Sequence, residues 1–394
     1  MPLNSKQYQA VMWGSGPCMV LAPPGSGKTL ALTKRIEYLI KKGGVDPSLI
    51  CVLTYTKNAA NEMKDRFNYY TNNKYKNVTI GTFHSVFFRV LREEGVLDGV
   101  KVLGEGEREK IVKDIVIAIL KQKNKECSNV RKEIVNNINY DYIDFKSIAD
   151  EISKVKNLRK NIKEYEPNSI EKDIFDKVYL FYDKYKQDNK YIDFDDMLTL
   201  IYEKLCSDKN LLQNMRKRFQ YFMIDEFQDI NLLQYEIIKL LVKPLNNIFI
   251  VGDDDQSIYG FRGASPNIMQ SFKKDFRKTK IIIFDTSYRF GEDIVGVSKK
   301  LIRNNTVRFD KNYKGKNICS SIHVQETEDK VDESKYICDL IQYLKKSGGK
   351  YKDICVLCRT LRSSKNILAE MKKRNIPYVI SHKDALNENE AHGV

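Results

Sequence analysis

Eight residues near the start of the chain, Ala22-Pro23-Pro24-Gly25-Ser26-Gly27-Lys28-Thr29, lie between an apolar run and a helical pattern. Cys18-Met19-Val20-Leu21 has the continuous apolarity of a buried strand, and Leu32, Ile36, Leu39 and Ile40 recur at helical spacing. A strand that turns through glycines into a helix aims backbone N–H groups and the helix's positive end at one point, which suits a phosphate. Lys28 then reaches the outer phosphates, and the Thr29 hydroxyl offers one ligand to Mg²⁺. Ala22 stands where the usual pattern has its first glycine. The pattern commits the chain to an α/β sheet that holds a nucleoside triphosphate.

A phosphate loop alone does not separate kinase, GTPase, transporter ATPase and helicase. A second motif narrows the choice. Tyr221-Phe222-Met223-Ile224 reads as a buried strand and ends in Asp225-Glu226-Phe227-Gln228-Asp229. Paired carboxylates at a strand's carboxyl end suit divided labour: Asp225 toward Mg²⁺, Glu226 toward the attacking water. A third strand, Ile248-Phe249-Ile250-Val251, leads into Gly252-Asp253-Asp254-Asp255-Gln256-Ser257-Ile258-Tyr259-Gly260-Phe261-Arg262-Gly263-Ala264.

Together with Leu3-Asn4-Ser5-Lys6-Gln7, Thr54 to Ala60, Gly81-Thr82-Phe83-His84-Ser85, Asp193-Phe194-Asp195-Asp196 and Tyr288-Arg289, these blocks resemble the UvrD/Rep/PcrA group of superfamily 1 DNA helicases. The order of the blocks also fits that family, and the resemblance spans essentially all 394 residues. It implies ATP and Mg²⁺ as cofactors, and single-stranded DNA or a single-strand/duplex junction as partner. Movement along the strand would be 3′ to 5′.

The fold class expected is α/β: a P-loop, RecA-like parallel sheet with an all-helical insertion, followed by a partial second RecA-like domain. Strands and helices alternate up to about residue 90, so residues 1–90 and 219–284 form the first motor domain. Between them, residues 91–218 carry helical stripes such as Ile111, Val112, Ile115, Val116 and Ile119, and form the insertion. Residues 285–394 resemble the first half of the second motor domain, with a helix at 330–345, a strand at 354–359, a helix at 363–373 and a strand at 378–380. The family's last two motifs have no counterpart before Val394, which raises the expectation of a second polypeptide that supplies them.

Residue roles follow from the resemblance. Gln7 matches the reader of the adenine edge, Tyr288 the aromatic stacked on the base, and Arg35 a further basic contact at the nucleotide. Gln256 matches the γ-phosphate sensor and Arg289 a finger that stabilises charge on the transferred phosphoryl group. The lesser alternative for Arg289 is a surface salt bridge, since the flanks here are Ser287 and Phe290 where the family usually has asparagine and serine. For DNA, Tyr55, Thr56, His84, Phe194, Tyr259, Phe261 and Arg262 match family positions. Aromatic platforms beside cations are how single strands are held. The alternatives are core aromatics and, for His84, a histidine satisfied at a helix start.

Composition agrees. A net charge of +15 favours a polyanionic partner, and 42% apolar residues are ample for packed cores. No apolar run is long enough to span a membrane, and Met1-Pro2-Leu3-Asn4 has no leader pattern, so a cytoplasmic protein is expected. Cys355 and Cys358 have metal-ligand spacing. Within a strand they would face opposite sides, so buried free thiols are expected. Two functions remain open: an ATP-driven single-strand translocase or helicase, and a truncated or split module that binds ATP and single-stranded DNA with little turnover alone.

Overall fold

The computed structural model describes residues 3–127, 142–260, 263–265, 267–316 and 321–380. The helices are α1 (Ser5–Val11), α2 (Lys28–Lys41), α3 (Lys57–Thr71), α4 (Phe83–Glu93), α5 (Glu105–Cys127), α6 (Phe145–Asn157), α7 (Lys172–Asp188), α8 (Phe194–Ser207), α9 (Lys209–Arg218), α10 (Leu232–Leu241), α11 (Ile268–Asp275), α12 (Glu292–Ile302), α13 (Lys330–Lys346) and α14 (Leu361–Lys373). The strands are β1 (Cys18–Leu21), β2 (Ile50–Thr54), β3 (Thr79–Thr82), β4 (Lys101–Val102), β5 (Tyr191–Ile192), β6 (Tyr221–Ile224), β7 (Ile248–Gly252), β8 (Lys280–Ile283), β9 (Thr286–Ser287) and β10 (Lys314–Gly315).

Six strands form one sheet in the order β3-β2-β6-β7-β1-β8, every pair parallel. β1, β2 and β7 are buried at every position because helices cover both faces. Side chains alternate between those faces. Met19, Leu21, Cys51, Leu53, Phe222, Ile224 and Ile250 pack with α4, α8, α9, α10 and α11. Cys18, Val20, Val52, Met223, Phe249 and Val251 pack with α1, α2 and α3. Parallel strands put all their carboxyl ends on one edge, so the loops after β1, β6 and β7 converge there.

Helices α5, α6 and α7 enclose a core of their own, built on Val112, Val116, Ile148, Ile152, Phe175, Val178 and Tyr182. Helices α8 and α9 fall within the 91–218 stretch, yet Met197, Leu198, Ile201, Leu211 and Met215 pack in the sheet's core. The helical insertion is therefore narrower in its packing than its sequence pattern suggests.

The chain divides into two compact units, Met1–Ser320 and Ser321–Val394. Residues 285–316, assigned by sequence to a second motor domain, lie in the first unit, where β9 pairs with β10. In the second unit α13 and α14 pack through Cys338, Ile341, Ile367 and Met371. The strands expected at 354–359 and 378–380 do not form among the described residues; Leu357 is 91% and Val379 93% exposed. A strand needs a hydrogen-bonded neighbour, and apolar sequence alone does not supply one. For the same reason Cys355 and Cys358 are exposed rather than buried, against expectation.

Candidate nucleotide and nucleic-acid site

The phosphate loop leaves β1 at Leu21 and is held from two sides. The Ala22 N–H donates to the Gly252 carbonyl at 2.9 Å, and the Ser26 hydroxyl donates to the Pro23 carbonyl at 2.6 Å. Gly25 and Gly27 have φ of +73° and +86°, a region closed to most side chains. There is no room for one either: a Cβ on Gly27 would come within 2.7 Å of Gln7 Nε2. Helix α2 begins at Lys28, so its first N–H groups face the loop's interior.

Lys28 Nζ pairs with Glu226 Oε2 at 2.8 Å, which joins the two sequence motifs directly. Glu226 is held at φ 49°, ψ 49°, a left-handed backbone costly for a residue with a Cβ. Its neighbour Asp225 is buried, with Oδ1 accepting the Glu226 N–H at 3.0 Å. Burial first, and then the Glu226 charge, pushes the Asp225 carboxyl up to about 7. Asp229 is pushed up to about 7 by the same two causes, and its Oδ1 is buried without a hydrogen-bond partner. A buried carboxylate oxygen without a partner and carboxyls raised by burial and by the Glu226 charge fit an oxygen-liganded divalent cation, for which Asp225 and Thr29 are the candidate ligands.

At the other end of the loop, Gln7 Nε2 donates to the Ser26 carbonyl at 2.8 Å, and Gln7 Oε1 accepts the Asn4 N–H at 3.0 Å. Asn4 caps α1 and also donates from Nδ2 to the Tyr288 hydroxyl at 2.8 Å. Tyr288 is 38% exposed, and its N–H donates to the Gly25 carbonyl at 2.9 Å, while Ser287 Oγ donates to the Pro24 carbonyl at 2.7 Å. Arg289 follows with its Cβ packed on Gly25, and among the described residues its guanidinium makes no ion pair. Gln7, Tyr288 and Arg289 are thus gathered on the loop. Pairing of Ser287 with β10 adds to the hold on the segment that carries Tyr288 and Arg289.

Arg35 is a correction. It is buried, donates to the carbonyls of Val11 at 3.3 Å, Gly14 at 3.1 Å and Trp13, and stacks 4.5 Å over the Phe249 ring. Lying seven residues into α2, it points away from the loop and ties the end of α1 to the sheet. Burial lowers its basicity to about 10.

Beside Glu226 is a cavity of about 260 Å³ lined by Tyr55, Thr56, Gln228, Asp229, Gln256 and Tyr259. Tyr55 and Tyr259 meet there with ring centroids 5.1 Å apart, and the Thr56 hydroxyl caps α3. Residues expected at DNA and residues expected at nucleotide therefore share one wall. His84 stands edge-on to Phe194 at 6.1 Å, and Phe194 is 47% exposed at the start of α8. Burial keeps His84 below its ordinary basicity, with Asp195 offsetting part of the effect. Phe261 and Arg262 lie outside the described residues.

Gln228 was not singled out by the sequence, although it sits inside the second motif. Its Nε2 donates to Glu226 Oε2 at 2.9 Å and its Oε1 accepts the Asp253 N–H at 3.0 Å. It therefore fixes the Glu226 carboxylate, just beyond β6, against the loop after β7. Asn4 was also missed, though Asn4 and Gln7 form a capping box, a spacing legible in sequence.

Fold and loop together define a P-loop α/β protein of the RecA-like class. Residues 3–277 match the UvrD/REP helicase N-terminal domain, and residues 282–390 match the UvrD-like helicase C-terminal domain. The chain belongs to the UvrD-like helicase family. It is 33% identical over 387 residues to a probable DNA helicase II homolog of Mycoplasma capricolum, covering 95% of this chain and 51% of that protein. ATP-dependent DNA helicase PcrA of Staphylococcus epidermidis is 30% identical over 388 residues, covering 96% and 50%. PcrA of Staphylococcus aureus is 30% identical over 383 residues with the same coverage. The chain spans about half the length of the curated relatives it matches. Among the described residues no helix is long and apolar enough to cross a membrane.

Proposed function

We propose that the chain is the ATP-binding part of a 3′ to 5′ single-stranded DNA translocase or helicase that works in the cytoplasm. The observation that carries this reading is the Lys28–Glu226 pair, with Gln7 and Tyr288 on the same loop and Tyr55 and Tyr259 on the adjoining wall. ATP is the substrate. Lys28 exchanges Glu226 for the outer phosphates, which frees the carboxylate to take a proton from the attacking water. Thr29 and Asp225 would hold Mg²⁺, which would supply charge neutralisation at the phosphates. Gln228 keeps Glu226 oriented, and Arg289, close to the loop and without an ion pair among the described residues, is suited to meet charge that builds on the transferred group. Gln256 lines the same cavity as Glu226 and Tyr259, which suits it to sense phosphate and strand together.

A second reading, that the chain binds ATP and single-stranded DNA but turns over slowly until another polypeptide segment joins it, is favoured by the exposed Leu357 and Val379 of the second unit. The experiment is ATP hydrolysis by the purified chain with and without single-stranded DNA, beside unwinding of a tailed duplex. DNA-stimulated hydrolysis with unwinding supports the first reading; binding with slow hydrolysis supports the second. A chain that binds no nucleotide sinks both.

A further inference from the structure

Asp253, Asp254 and Asp255 each offer a carboxylate oxygen, and those oxygens all lie within 4.8 Å of one another. So dense an acidic group ordinarily gathers a hard cation. Here a lysine from elsewhere in the chain fills the position. Lys311 Nζ lies 2.5 Å from Asp253 Oδ1 and 2.8 Å from Asp255 Oδ2, and it also contacts Asp254 Oδ1. Its side chain is completely buried. Burial would strip its proton, but the three aspartates hold its basicity above the ordinary lysine value. Arg308 forks onto Asp255 at 2.8 and 2.7 Å, and the Phe309 N–H donates to Asp254 Oδ2 at 2.6 Å.

The acidic group is also wired to the candidate site. Asp253 Oδ2 accepts from Gln256 Nε2 at 2.6 Å. The Asp253 N–H reaches Gln228, which holds Glu226, which holds Lys28. We propose that Lys311 is a built-in counter-cation that positions Gln256 and Glu226 for hydrolysis and keeps divalent cations out of the Asp253–Asp255 cluster. The first half rests on the proposed ATPase function; the second does not. Lys311 is a positioning residue, since it touches Asp253 and not the candidate nucleotide loop.

The two halves are read separately. Terbium luminescence, sensitised by the chain's 23 tyrosines, counts trivalent-ion sites without reference to hydrolysis. Lys311→Ala should bind one more equivalent of terbium than the unaltered chain. Adding Asp254→Asn should remove that equivalent, and Lys311→Arg should not create it. In steady-state hydrolysis, Lys311→Ala should lower kcat about 10- to 100-fold, the usual range for residues that orient active groups, with KM for ATP little changed. If Lys311→Ala does not fold, Lys311→Ala with Asp254→Asn, which removes one charge of each sign, serves for the kinetic arm. A folded variant with unchanged terbium stoichiometry overturns the cation-exclusion role. Unchanged kcat in a variant of a chain that does hydrolyse ATP overturns the positioning role, and absent hydrolysis in the unaltered chain counts against the proposed function instead.

Discussion

Lys28 and Glu226 are joined at 2.8 Å across two motifs that stand 198 residues apart in sequence. The ammonium proposed to meet phosphate is thus held by the carboxylate proposed to act on water, and Gln228 donates to the same oxygen, Oε2, of that carboxylate. The pair brings both groups to one space. On the proposed function, phosphate must displace Glu226 before the carboxylate can act as a base.

Lys28→Ala and Glu226→Gln should therefore diverge. Lys28→Ala is expected to abolish hydrolysis and weaken nucleotide binding, because it removes the one side-chain cation the loop supplies. Glu226→Gln is expected to bind nucleotide at least as tightly as the unaltered chain, since Lys28 no longer has a competing anion. Hydrolysis should fall about 10²- to 10⁴-fold with the base gone. Fluorescent-nucleotide titration beside turnover measures both. Equal loss of affinity in the two variants would contradict the division of roles.

For DNA, Tyr259→Ala and Phe194→Ala should each weaken single-strand binding by about 1–3 kcal/mol, whatever the base sequence. Tyr259 stacks against Tyr55 in the cavity wall, and Phe194 is open to solvent at the head of α8. Affinity should also fall steeply with salt as phosphate contacts release counterions. Filter binding or anisotropy over a salt series checks both. Salt-independent binding would point to a ligand other than nucleic acid.

Much of this was legible from local pattern. β1, β2, β6 and β7 announce themselves because a parallel strand covered on both faces is apolar throughout, and the loop glycines announce φ values that other residues avoid. The same rule misleads at Ile354 to Leu357, where apolar residues find no neighbouring strand. Arg35 misleads differently: it follows the loop in sequence, yet helical rotation carries it to the side facing Phe249. Lys311 carries no local signal at all, because it meets Asp253 from 58 residues away in an ordinary charged stretch.

A buried charge cluster beneath Phe194 gives an acid-sensitivity prediction. Lys156 and Lys186 contact Asp193 at 3.4 and 3.1 Å and Asp196 at 2.7 and 2.6 Å. Burial alone would raise the Asp193 carboxyl, but the two lysines hold it well below the carboxylate range. A carboxylate depressed by folding adds stability that is full above its unfolded value, near 3.8, and is lost as pH falls below it. Asp193→Asn keeps the capping oxygen of α8 but removes the charge, and breaking such a buried pair costs roughly 3–5 kcal/mol. The unaltered chain should therefore melt well above the variant at pH 7, with the gap beginning to narrow below about pH 5 and still narrowing at the lowest pH at which the fold survives. A gap independent of pH would mean that packing, not charge, is what Asp193 contributes.

The last prediction concerns the second unit. Its described core is five residues, Cys338, Ile341, Ile367, Met371 and Ile376, between two helices, whereas both faces of the six-stranded sheet are buried against helices. Leu340, Leu344 and Leu361 remain partly open, and the extended segments around Leu357 and Val379 make no strand pairs among the described residues. With so little apolar area removed from water, α13 and α14 have few contacts to lose when they open. Hydrogen exchange by mass spectrometry should show their amides exchanging at least tenfold faster than those of β1, β7 and α2, and limited proteolysis should cut first beyond Ser321. A polypeptide segment able to pair with residues 354–358 should slow that exchange selectively, without changing protection in the sheet of the first unit. Equal protection in the two units would mean that the second is already stabilised by something other than its own small core.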